Sequence, residues 1–152
     1  MNIVINEEAL RQKCNPVTSL DDMSKIISQV KEMHELMVNS NGCGIAAPQV
    51  GINKQIFLAV LSNGSRLELF INPQILDKSK ETDEDTEGCL SIPNCYGTVV
   101  RHKSIKVKYF NGKEIKTRVF EGLDARIVQH EYDHLEGILY TDKATNIIKE
   151  VV

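Results

Sequence analysis

A chain of 152 residues, 41% hydrophobic and 26% charged with no Trp, has the composition of an ordinary globular protein. It is one domain by length and can bury a sizeable core without staples. A net charge of −3 gives no electrostatic case for nucleic-acid binding, and no apolar run approaches the ~20 residues of a membrane span.

The N-terminal MNIVINEEALRQK has no basic region followed by an apolar one, so no signal peptide is expected. The four cysteines, Cys14, Cys43, Cys89 and Cys95, are irregularly spaced and read as free thiols or ligands in a reducing cytoplasm. Between Asp21 and Met37, apolar residues recur at three and four (Met23, Ile26, Ile27, Val30, Met33, Leu36, Met37). This predicts an amphipathic helix capped by Ser19 with Asp22 in its first turn, ended by the NSNG of residues 39–42. QIFLAVL, Gln55 to Leu61, reads as a buried strand, and SNGS turns it into RLELFINP, Arg66 to Pro73. The acidic ETDEDTE, Glu81 to Glu87, is expected to be a solvated loop. GTVVR and KSIKVKYF follow as strands, the lysines of the second alternating with Ile105, Val107 and Tyr109 as a solvated face would. Asn111-Gly112 is a strong hairpin turn into KEIKTRVF, and a last helix should run from an Asp124 N-cap to about Gly137. No repeat or linker is seen and alternating βα units are absent, so the fold class is α+β with antiparallel sheets.

The last helix raises a chemical question. Its sequence IVQHEYDHLEGILY sets Ile127, His130, Glu131 and His134 on one stripe, with Val128, Tyr132 and Leu135 beside it. Only Arg126, Gln129, Asp133 and Glu136 form a consistent polar face, so the stripe with two His and a Glu points inward. Burying an ionised Glu without a partner costs several kcal/mol, which a divalent cation would offset. His at i and i+4 lie one turn apart and can share an ion, while the Glu between them can act as general base on a water there. Two core histidines bonded to backbone, with Glu131 paired to an Arg, is the plainer alternative.

A catalytic site needs about three protein ligands. The HxxGxxH continuation fails, because Tyr140 stands where its last His should be. Glu150 is the only late carboxylate, near the chain end, and His102 sits in a lysine-rich strand expected to be solvated. Of the cysteines, Cys89 has the best context, following Gly88 in EGCLSIP, and a Cys/His/His set would favour Fe(II), Zn, Co or Ni over Mg or Ca. Spacing alone leaves that choice open.

Three motifs then coincide. GCGIAAPQ (Gly42 to Gln49), EGCLS (Glu87 to Ser91) and HEYDH (His130 to His134) resemble, in this chain order, the three signatures of the peptide deformylase family. The similarity runs from about the first helix to YTDK, Tyr140 to Lys143. It implies antiparallel sheets packed around the HExxH helix, with one N-terminal amphipathic helix. The implied enzyme is a metal-dependent hydrolase that removes N-formyl groups from formyl-methionyl chains emerging at the ribosome and releases formate.

Carried over residue by residue, the resemblance makes Cys89, His130 and His134 the ligands of one divalent ion, natively Fe(II), with Zn, Ni or Co able to replace it. It makes Glu131 the acid/base, and Gln49 with the backbone N–H of Leu90 the oxyanion donors. GCGIAAPQ lacks the Lys-Ser/Thr of a phosphate-binding P-loop and follows no strand; its small residues suit a close approach to the metal. Cys43, Leu123 and Ile127 are candidates for the methionine pocket, and the backbone of Gly44 and Ile45 could pair with an extended peptide. Arg101 is expected to pair with Glu87 and brace the Cys89 loop. Against the family pattern, the early segment lacks the usual proline-bearing turn and the chain stops without the C-terminal helix many members carry. Arg126, Asp85 and Tyr96 stand where other residue types are common. A zinc metallopeptidase using Glu150, or an inactive binding relative, are the competing readings.

Overall fold

The run IFLAVL is apolar at every position because the strand it forms is covered on both faces. In the computed structural model, which describes residues 1–150, this strand is β2 (Ile56–Leu61). It lies in a five-stranded antiparallel sheet with β1 (Gly44–Ala46), β3 (Arg66–Lys78), β6 (Ser104–Phe110) and β7 (Ile115–Glu121), ordered β1-β2-β3-β6-β7. Phe57, Ala59 and Leu61 point to one side, where they pack with Phe70, Val107, Tyr109 and the helix residues Ala125, Val128 and Leu135. Ile56 and Leu58 point to the other, against Ile26, Met33, Met37 and Ile45. Strict period-2 alternation is lost where both faces are dry.

Two long helices supply those covers. The first, after a one-turn α1 (Glu7–Leu10), is α2 (Met23–Asn39). Its cap is Asp22 rather than Ser19, the carboxylate accepting from Ser24 N at 2.9 Å, while Asp21 is occupied by Lys54. The second, α3 (Gly122–Leu135), has Glu121 as its N-cap, three residues before the expected cap. Asp124 lies in its first turn, accepting from Ser62 N at 3.0 Å and so tying the β2–β3 turn to the helix. A hairpin joins β6 to β7 where the dipeptide predicts one, but Phe110 stands opposite Ile115 and Asn111 N bonds to Glu114 O, so the turn spans Asn111 to Glu114 rather than the two residues Asn111-Gly112.

The acidic segment is not a loop. Thr82–Cys89 forms β4, in a three-stranded antiparallel sheet β4-β5-β8 with β5 (Ile92–His102) and β8 (Thr145–Lys149). Pairing with the β-branched run Thr98-Val99-Val100 and two buried arginines offsets the charge repulsion that local composition suggests. Only Glu87 of this strand is buried, at 7% exposure. Among the described residues no helix is long and apolar enough to cross a membrane.

Candidate metal and active site

The HExxH helix packs its apolar row into the main core, which fixes the rotation of α3 and so the direction of its histidines. His130 and His134 stand one turn apart with ring centroids 5.3 Å from each other. Cys89 arrives at the end of β4, where the register with β5 shifts between Glu87 and Cys89; such an irregularity re-aims a side chain. Its Sγ lies 3.4 Å from His134 Nε2. One donor atom from each of Cys89, His130 and His134 fits within 4.8 Å of the others, the only such group among the described residues.

Charged side chains hold the two arms together. Arg101 donates to both oxygens of Glu87 at 2.9 Å and to Asp133 at 2.6 Å, the pairing with Glu87 anticipated from sequence. Glu87 also accepts from His130 Nδ1 at 2.8 Å, which leaves Nε2 of that ring free to bind an ion. The face of α3 formed by Arg126, Gln129 and Asp133 is polar but not solvated. These residues are 5%, 6% and 8% exposed, buried against the smaller sheet. Gln129 spans the backbone of His102, accepting from its N–H and donating to its carbonyl. His102 is half-buried and bonds through its ring to Ser79 O rather than facing solvent.

A cavity of about 500 Å³ opens beside these groups, lined by Cys43, Gly44, Gln49, Cys89, Leu90, Leu123, Ile127, His130, Glu131 and the half-exposed Tyr96, among others. Gln49 Oε1 accepts from Ala46 N at 2.9 Å, so its amide nitrogen faces Ser91 Oγ (3.2 Å) and Cys89 Sγ (3.5 Å). Gly44 passes so close to Glu131 that a Cβ there would collide with the carboxylate. Ile45 stands apart from the other pocket candidates: it is fully buried in the α2-side core. Because Cys43 O accepts from Val60 N, the alternation of the antiparallel ladder turns the backbone groups of Ile45 toward β2 and those of Gly44 away from it. Tyr140, in place of a third histidine, is buried and donates to Cys95 O at 2.9 Å. Glu150 is exposed, its backbone N–H bonded to Asn94 O, and it is not part of the donor group.

Comparison with known proteins agrees with this geometry. The family model described as polypeptide deformylase matches residues 2–150. Peptide deformylase 1 of Clostridium perfringens is 46% identical over 139 residues, 90% of this chain and 92% of that one. The crystal structure of the Thermotoga maritima peptide deformylase superposes with a TM-score of 0.88 at 38% identity, covering 95% of this chain and 97% of that one. A Met-Ala-Ser-bound class I type b peptide deformylase from Acinetobacter baumannii gives 0.87 at 36% identity, covering 94% and 98%. The chain belongs to the peptide deformylase family. It is therefore a metal-dependent hydrolase that removes N-formyl groups from nascent peptides.

The electrostatics of this deformylase suit a cation between Cys89 and the histidines. Burial pushes the Glu131 carboxyl up to about 7, with the His130 ring opposing and the Glu87 charge adding to the rise. Burial alone would lower His130, yet its bonds to Cys89 and Glu87 outweigh that and hold it near 10. Burial and the neighbouring His130 push His134 down to about 3. Burial works against the charge on Glu87, but Arg101 and His130 keep its carboxyl well below the usual range. Without an ion, the pocket thus draws a proton onto a would-be ligand; a divalent cation would displace that proton and supply the positive charge. Glu131 Oε1 is buried with no protein partner, as expected of a group whose partner is not supplied by the chain; His134 Nδ1, on the ring edge away from Cys89, is unpartnered as well and is not the nitrogen that faces the site. A donor set of one thiolate and two imidazoles matches the softer first-row ions. Sequence reasoning missed the bond from His130 to Glu87 and the burial of Arg126 and Asp133; the available signal was that a helix with apolar rows on most sides has no room for a wet face.

Proposed function

We propose that Cys89, His130 and His134 hold one divalent ion, Fe(II) natively with Zn, Ni or Co able to replace it, and that Glu131 is the acid/base of the deformylation. The observation that carries this reading is the convergence of three donor atoms within 4.8 Å beside a buried, unpartnered Glu131 oxygen. Bound there, the ion would act as a Lewis acid and would lower the pKa of water toward ~7. Glu131 is placed to take a proton from a water molecule in the cavity while the oxygen of that water attacks the formyl carbon. The amide of Gln49 and the backbone N–H of Leu90 donate to the developing oxyanion. Glu131 then returns the proton to the departing amine, the C–N bond breaks, and formate leaves with a free-amine peptide.

The substrate is read as a formyl-Met peptide, a nascent chain at the ribosome in the cytoplasm. Cys43, Leu123 and Ile127 form the apolar pocket for the methionine side chain, and the backbone of Gly44 pairs with the peptide as an added strand. The Met-Ala-Ser ligand of the Acinetobacter baumannii relative supports a peptide of this kind. Residues 1–152 act as one catalytic domain; its last two lie outside the described residues. The test is anaerobic incubation of Fe(II)- or Ni(II)-loaded protein with formyl-Met-Ala-Ser. Formate and Met-Ala-Ser in equal amounts are expected; cleavage at internal peptide bonds without formate would overturn the reading.

A further inference from the structure

We propose that Arg126 is a positioning residue for the metal site: it locks the Cys89-bearing strand β4 onto the histidine-bearing helix α3 and fixes the Glu87 carboxylate on His130. This rests on Cys89, His130 and His134 being the ligands, as proposed above. The Glu87 carboxylate is completely occupied. Its Oε1 accepts from Arg101 Nη2 (2.9 Å) and His130 Nδ1 (2.8 Å), and its Oε2 from Arg101 Nε (2.9 Å) and Arg126 Nη1 (2.6 Å). A carboxylate has about four lone-pair directions, so these four donors leave it no freedom to rotate away from His130.

The two arginines bracket His130 along the helix. Arg101 reaches across from β5 to Asp133, three residues after His130. Arg126 starts four residues before it and reaches the other way, to Val99 O of β5 (2.9 Å) and to Asp83 O (3.0 Å) and Oδ1 (2.8 Å) of β4. A planar guanidinium can span Glu87, Asp83 and Val99 at once, and at 5% exposure it does so out of water. Since Cys89 is two residues beyond Glu87 on the same strand, this clamp sets how far the thiolate stands from the two imidazoles. It acts through Glu87 and β4 and is not one of the three donor residues, although its side chain also borders the cavity.

The test uses the Co(II)-loaded full chain, comparing wild type with Arg126→Gln and Arg126→Lys. Co(II) affinity is read by chelator competition, site geometry by the visible thiolate and d–d bands, and fold by thermal unfolding of the metal-free proteins. Arg126→Gln should bind Co(II) about 10–100-fold more weakly with shifted d–d bands. Arg126→Lys should fall between, because one ammonium cannot bridge Glu87 and Asp83 together. A lower unfolding temperature with wild-type Co(II) affinity and bands would make Arg126 a structural clamp only and overturn the inference. Should the Gln variant not fold, wild-type affinity in the Lys variant overturns it equally. A wild type that binds Co(II) with no thiolate band would instead overturn the ligand assignment itself, and this inference with it.

Discussion

At the scale of single residues, the site is built from groups whose alternatives are blocked. Gln49 cannot flip without losing its bond to Ala46 N, so the amide nitrogen is held toward Ser91 and Cys89. Gln49→Glu should keep the acceptor for Ala46 and hence the local fold, but it removes the donor from the oxyanion. The expected result is a kcat lower on the order of 10²–10³-fold with bound metal unchanged. A rate within a few-fold of wild type would remove Gln49 from the chemistry. Gly44 belongs to the same logic: it is the one residue type that lets β1 pass beside the Glu131 carboxylate. That both residues fall inside GCGIAAPQ was legible in the sequence. The particular atom each one uses was not, because it depends on a ladder register that only the sheet defines.

At the scale of elements, α3 is informative because from Ala125 onward none of its residues is exposed, charges included. HExxH and the apolar rows were readable from spacing, since local periodicity decides which side chains share a face. The arginine and aspartate on its remaining face were not, since a charged residue goes inside only when its partners come from elsewhere. Here they come from β4 and β5, more than 25 positions away in each bond the arginines and Asp133 make across this interface. The same cause hid β4 itself, whose acids resemble a solvated loop until Arg101 and Arg126 are set against them. Arg101→Met tests this directly. It leaves Glu87 and Asp133 buried with fewer donors, and breaking such a pair costs ~3–5 kcal/mol. Urea unfolding should show a midpoint lowered accordingly with an unchanged m-value; a loss below ~1 kcal/mol, the range of surface pairs, would mean the network is not load-sharing between sheet and helix.

At the scale of the whole molecule, the proposed ligands are divided between two bodies of structure. His130 and His134 ride on the helix packed against the five-stranded sheet, while Cys89 comes from the three-stranded sheet. The three donor atoms, the buried charges and the cavity all lie along the seam where these meet. The fold class and the direction of the five-stranded sheet followed from hairpin signals, but in the smaller sheet β4 read as a loop, and β8, exposed along its whole length, carries no buried pattern by which a sequence could announce it. Catalysis by this arrangement requires a single ion at that seam. Protein stripped with a chelator and titrated anaerobically with Fe(II) should release formate from formyl-Met-Ala-Ser in proportion to bound iron, reaching a plateau at one ion per chain. Formate release that persists in the metal-free protein, or that keeps rising beyond one bound ion, would contradict it.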